Sequence, residues 1–343
     1  MTEPVSLPYQ RVAPRRRHWG PLQLILTLLL CVFTWAVIAA ACLCVGSTDW
    51  GWPDSPTREF RLESVLVTSL VGAALGAAGA TYQAVLRNPL ADPYLLGVSS
   101  GASLAVYIWP FLFGAAPALL GSFSQQIFAF AGGVGSVAVV FVLAQRAGRL
   151  EPVTMLLVGV IVNAVNGAVY LLIHYLTRRY FTLGQSGDPL AFIVGAFNTN
   201  LTPYQQWTAA GFVLAGTVVL LSISGALAVA GLGDAEAESL GVRVHRLRWA
   251  SLVTASLVTA SAVAVSGPIG FVGLVCPHLA RLIVGGDVRK LLPVAIALGA
   301  GLLAVADAGS RRLGQLPVGV LTGLLGGPFF LLLLWRNRGR AAS

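Results

Sequence analysis

Five ionisable side chains lie inside or at the edge of long apolar stretches: His174, His278, Arg281, Asp307 and Arg311. Charge is expensive in hydrocarbon, so each is a candidate for substrate, proton or helix-pairing chemistry. His278 follows Pro277 and precedes Arg281 by three residues, which suits a helix edge near an aqueous face. A structural hydrogen bond and a direct role are both open for it. Asp307 and Arg311 are four residues apart, hence neighbours on a helix, and read as an i,i+4 ion pair. No His-Glu-x-x-His pair, carboxylate-rich diphosphate motif or other catalytic set accompanies them, which argues against an intramembrane enzyme. Cys31, Cys42, Cys44 and Cys276 match no zinc or disulfide spacing and read as buried free thiols. No cofactor is expected.

The only lysine, Lys290, is followed by Leu291. A P-loop needs Gly-Lys-Ser/Thr, with the lysine on phosphate and the hydroxyl on magnesium. The chain is therefore not an ATPase of that type, and any ATP it uses must be hydrolysed by a separate subunit.

Two polar segments could carry transport chemistry. The first runs from Arg87 to Ala102, with the core Asn88-Pro89-Leu90-Ala91-Asp92-Pro93, and breaks two long apolar stretches. Such backbone must lie against protein or a water-filled cavity, because lipid cannot satisfy its hydrogen bonds. The second, 231–248, holds Asp234, Glu236 and Glu238 before Gly241, then Arg243, Arg246 and Arg248. Acid early and base late suit a short helix and its macrodipole. A solvated loop with its arginines is the competing reading.

The elements that must position these residues are membrane helices. Of 343 residues, 56% are hydrophobic and 10% charged, against about 25% charged in soluble domains. Apolar blocks at 22–45, 64–84, 95–113, 125–144, 153–176, 205–230, 249–266, 269–285, 291–309 and 316–335 have about the length needed to cross 30 Å of hydrocarbon. The expectation is an all-α polytopic membrane protein of about ten helices. A basic tail covers 1–20, the transmembrane domain 21–335, and a second tail 336–343. The first block is too long for a signal-peptide core. Residues 46–63 and 177–204 read as loops on one side, the latter with a short apolar piece at 190–197. With the N-terminus inside, sixteen of the 22 basic residues fall on inside segments, so both termini are expected in the cytoplasm. The net charge of +9 then reflects topology and anionic lipid, with no nucleic acid needed.

Four motifs, in order, resemble the FecCD-type permeases of ABC importers for iron-siderophores, haem and cobalamin. They are Gln83 to Ala102; Gly267-Pro268-Ile269-Gly270-Phe271-Val272-Gly273 through Leu282, followed by Leu291-Leu292-Pro293; Ala306-Asp307 to Arg311; and Leu316-Pro317-Val318-Gly319 through Phe330. The resemblance covers about 56–335 and implies a BtuC-like fold of type II importers. It further implies a second permease subunit, identical or paralogous, two ATP-binding subunits on the cytoplasmic face and a substrate-binding protein outside. Carried onto this chain, it makes Asn88, Pro89 and Leu90 a cytoplasmic gate. It makes Asp234, Glu236, Glu238, Gly241 and Arg243 part of the coupling segment, and Arg61 and Arg311 docking residues for the binding protein. His278, Arg281 and Asp307 remain structural or pathway residues. The expected cargo is a chelated metal, a ferric siderophore before haem or cobalamin, crossing the cytoplasmic membrane of a bacterium. A proton-coupled secondary transporter using His278 or Asp307 is the alternative.

Four departures from the family pattern stand out, one of them Cys276 where an aliphatic residue is usual. Ser64, within Arg61-Leu62-Glu63-Ser64, stands where a second arginine is usual. Asp287-Val288-Arg289 replaces Asp-His-Arg, and Ile193 to Phe197 replaces a Trp-containing segment.

Overall fold

The computed structural model describes residues 21–47, 50–113, 118–146, 149–150, 152–177, 192–197 and 202–341. Ten long helices and one short one form among them. They are α1 (Pro21–Leu43), α2 (Ser55–Val85), α3 (Val98–Phe113), α4 (Ala118–Ala144), α5 (Pro152–Thr177), α6 (Pro203–Ala230), α7 (Asp234–Ser239), α8 (Val244–Ser266), α9 (Val272–Val284), α10 (Val288–Arg312) and α11 (Val318–Ala341). A two-residue ribbon, β1 (Gln145–Arg146) with β2 (Arg149–Leu150), joins α4 to α5.

Each of the ten apolar blocks corresponds to one long helix. Seven are long and apolar enough to cross a membrane unaided; α3, α9 and the apolar part of α11 are shorter. At 1.5 Å per residue, the 13 residues of α9 span only about 20 Å. Its missing length is the irregular stretch Gly267–Phe271, just as α3 is preceded by the turn Arg87–Gly97.

Helices α2, α8 and α10 form the buried centre, each with 72% of its apolar window covered by protein, while α1 has 6% and α5 17%. Packing drives helix association in lipid, so small residues sit where backbones must meet. Gly72 and Gly299 face each other across α2 and α10, and Gly76 faces Ala295. A Cβ on Gly72 would stand 2.1 Å from the Gly299 carbonyl oxygen. Tyr82 is fully buried on α2, and its hydroxyl meets that of Ser256 on α8 at 2.6 Å.

Helix ends follow local chemistry. Thr202 and Gln205 form a reciprocal capping box at the start of α6, with Pro203 in the first turn. Asp287 caps α10 through the Arg289 amide. Gly267 stops α8 at φ +67°, a conformation with no penalty only for glycine.

Two expectations need correction. The loop at 46–63 is shorter, because α2 begins at Ser55. Charged residues there lower hydropathy without breaking helical hydrogen bonding. The polar segment at 231–248 ends sooner, because α8 begins at Val244. The arginines of this segment therefore do not end the short helix; Arg246 and Arg248 lie on α8. Within the C-terminal tail, α11 continues to Ala341. The N-terminal tail at 1–20 and most of 177–204 lie outside the described residues.

Candidate translocation gate and coupling face

The expected gate turn is built by its own side chains. The Asn88 carboxamide oxygen accepts from the Leu90 amide at 3.0 Å, and Asp92 Oδ1 accepts from the Tyr94 amide at 3.2 Å. These two Asx turns, with Pro89 and Pro93 as their central residues, fix the backbone outside any regular helix. Asn88 and Leu90 are half-buried, Pro89 is exposed, and Asp92 is buried. The turn is held from α5, where Asn163 Nδ2 donates to the Tyr94 carbonyl at 2.8 Å.

This turn meets the other broken segment. Gly273 packs against Asp92, Pro93 and Gly79, and Gly270 lies against the Tyr94 ring. The described piece 192–197 joins them: Gly267 abuts the Phe192 carbonyl, and the Gly195 carbonyl accepts from the Gly319 amide at 3.0 Å. Three interruptions of regular helix thus converge inside one bundle. That is where non-helical backbone can be satisfied by protein, and where transporters commonly place their pathway.

Gln83 shows how the satisfaction works. Pro277 has no N–H, so the Gly273 carbonyl four residues earlier loses its helical partner. Gln83 Nε2 replaces that donor at 3.3 Å, and its Oε1 accepts from Arg281 at 3.0 Å. Arg281 therefore braces α9 against α2. His278 stands edge-on to Phe329 of α11, with centroids 5.8 Å apart.

At the same end of the bundle, Asp234 opens α7 and receives two guanidinium groups, from Arg87 at 2.6 Å and Arg248 at 2.8 Å. Glu236, Glu238, Gly241 and Arg243 are exposed, and Ala237 is the buried residue of α7. Glu238, Gly241, Arg243, His245 and Arg246 help line a recess of about 500 Å³. Nearby, Arg289 grips Asp287 with two nitrogens, at 3.2 and 3.0 Å. Partial burial alone would raise the Asp287 carboxyl. The hydrogen bonds and positive charge of Arg289, with the charge of Lys290, outweigh it and hold the group below its usual value.

The opposite end holds Arg61, Arg311 and Asp307. The ion pair expected from spacing is present, with Arg311 3.5 Å from Asp307, and Ser64 donates to the same carboxylate oxygen at 2.8 Å. The serine that departs from the family pattern is thus part of this network. The two arginines are turned largely inward. Arg61 is 6% exposed and donates to the Leu43 carbonyl at 3.2 Å; Arg311 donates to the Cys42 carbonyl at 3.2 Å. Both reach carbonyls at the C-terminal end of α1, where the helical ladder runs out. Glu63 is occupied by Gln206 of α6. Arg58 is exposed, and Arg312 lies 4.7 Å over the ring of exposed Trp50.

Sequence reading missed Gln83 and Arg248 as bracing residues and the role of Ser64. Pro277 signals an orphaned carbonyl four residues earlier, but its partner Gln83 lies 190 residues away and carried no mark of that role. Arg248 carried no signal separating it from other basic residues.

A bundle with broken segments meeting in its interior and charged joints at its ends defines a multi-pass membrane transporter. Comparison with known proteins gives the family. The FecCD transport family profile matches residues 22–336. The chain is similar to the uncharacterized ABC transporter permease YvrB of Bacillus subtilis, 41% identical, with 81% of this chain and 78% of the relative covered. It is 38% identical to the hemin permease HmuU of Yersinia pestis (81% and 82% covered) and 36% identical to the vitamin B12 permease BtuC of Vibrio cholerae (81% and 82%). A solved ABC transporter described as of metal-chelate type, in an inward-facing conformation, superposes with a TM-score of 0.69 at 27% identity, covering 91% of this chain and 99% of that one. The chain belongs to the FecCD transport family of ABC importer permeases. It is a permease subunit and not itself an enzyme.

Proposed function

We propose that this chain forms the conduit of an ATP-driven importer for a chelated metal, with a ferric siderophore as cargo. It would pair with a second copy or a paralogue, and the cargo would cross between the two without chemical change. The observation that carries the reading is the convergence of the Asn88–Asp92 turn with Gly270–Gly273, within a chain matched to the family over 22–336. Asn88, Pro89 and Leu90 are the gate on the cytoplasmic side.

The recess that Glu238, Gly241 and Arg243 help line, with exposed Glu236 beside it on α7, receives the ATP-binding subunits, while Asp234 is engaged by Arg87 and Arg248 of this chain. The positive-inside bias supports this sidedness, with both termini in the cytoplasm. A binding protein docks at the end that Arg61 and Arg311 occupy, where exposed Arg58 and Trp50, with Arg312 over the Trp50 ring, are the groups offered to it. Hemin and vitamin B12 relatives show that the family spans several ligands. The metal-chelate likeness supports the siderophore.

The test is uptake into liposomes by the assembled importer. Iron-siderophore accumulation driven by ATP is expected, and none by this chain alone. Preferential uptake of cobalamin or haem would replace the cargo. Uphill uptake without the ATP-binding subunits would overturn the importer reading in favour of a secondary transporter.

A further inference from the structure

Arg87 is the last residue before the gate turn and is strained: its φ is +50°, a region non-glycine residues seldom occupy. Its guanidinium is engaged twice. One nitrogen donates to the Ala230 carbonyl, the last of α6, at 2.6 Å, and to Asp234 at 2.6 Å. Arg248, on the first turns of the central helix α8, reaches the same Asp234 oxygen at 2.8 Å. One carboxylate therefore ties together the turn after α2, the C-terminus of α6, the short helix α7 and the buried helix α8.

The anchoring of α7 is sparse: Ala237 is buried, whereas Glu236, Glu238 and Leu240 are exposed. The groups of the joint are 37–46% exposed. Pairs so exposed add little stability, but they fix register and orientation. A displacement of α7 has few routes into the bundle, and the Asp234 joint leads directly to the residue before Asn88.

We propose that Arg87 and Asp234 are positioning residues that convey movement of α7 to the gate turn, with Arg248 holding the carboxylate to the central helix. This deepens the proposed function and rests on α7 meeting the ATP-binding subunits.

The test uses the full importer in liposomes, with siderophore uptake per ATP hydrolysed, and co-purification of the ATP-binding subunits as a separate readout. Arg87→Gln and Asp234→Asn approach the joint from opposite sides, so one misfolded variant does not end the test. Each is expected to keep the ATP-binding subunits bound and to lower uptake per ATP about tenfold, within the usual range of coupling energies. The double variant should lose less than the product of the two single losses, because both remove the shared Arg87–Asp234 interaction. Wild-type uptake per ATP in Arg87→Gln, or losses that multiply in the double variant, would overturn the joint. Failure of the underlying reading looks different: the combined variant Glu236→Lys, Glu238→Lys and Arg243→Glu would retain its ATP-binding subunits undiminished.

Discussion

Replacing Gly72 with alanine tests whether α2 and α10 are set by backbone contact. The added methyl carbon would stand 2.1 Å from the Gly299 carbonyl oxygen and 2.7 Å from its carbon, where ordinary contact begins near 3.4 Å. Neither neighbour is a flexible side chain, so the helices must part by about 1.3 Å along that line. Overpacking of this kind costs about 1–3 kcal/mol, offset in part by the better helix propensity of alanine, about 1 kcal/mol. The expected net is up to about 2 kcal/mol of destabilisation, read as a fall of up to a few degrees in the unfolding temperature of detergent-solubilised protein. Gly211→Ala is the control. It makes the same chemical change on a helix where nothing lies within 4 Å of the new carbon, and should be neutral or slightly stabilising. Pairing Gly72→Ala with Gly299→Ala should cost less than the sum, since the first change already opens the contact. Equal unfolding temperatures for Gly72→Ala and Gly211→Ala would refute the argument.

Three further outcomes are expected. Gln83→Leu leaves the Gly273 carbonyl and Arg281 without their partner and should destabilise by about 1–3 kcal/mol, while Gln83→Glu, which keeps only the acceptor, should recover part of this in a thermal melt. Asp307→Ala strands the Arg311 guanidinium, whose side chain is 11% exposed, and should cost about 3–5 kcal/mol, against about 1 kcal/mol for Ser64→Ala, by chemical denaturation in micelles. Asp287 titrates below 3.8 in the folded chain, so its contribution is complete above pH 3.8 and is lost as pH falls through the lower folded value. The stability gap between Asp287→Asn and the parent should therefore be constant from pH 7 to 5 and shrink near pH 3.

Hydropathy revealed the ten helices because hydrocarbon imposes a length and a composition on each. It misplaced the start of α2, where Arg58, Glu59, Arg61 and Glu63 continue a helix past the apolar layer, because hydropathy reports the solvent and not the hydrogen-bond ladder. Spacing disclosed the Asp307–Arg311 pair, since both partners sit on one helix. The contacts of Ser64 with Asp307 and of Arg87 with Asp234 span 243 and 147 residues, and only the packed bundle brings such partners together. The inward turn of Arg61 and Arg311 was hidden for a related reason. The carbonyls that attract them belong to a helix end, a demand that no residue type in α1 announces.

That arrangement also orders events at the ribosome. Arg61 lies 18 residues beyond the carbonyl it serves, whereas Arg311 lies 269 residues beyond Cys42. At ordinary rates of synthesis the second guanidinium arrives on the order of tens of seconds later. The first hairpin can thus be pinned early, while its final fastening waits until nearly the whole polypeptide has been made.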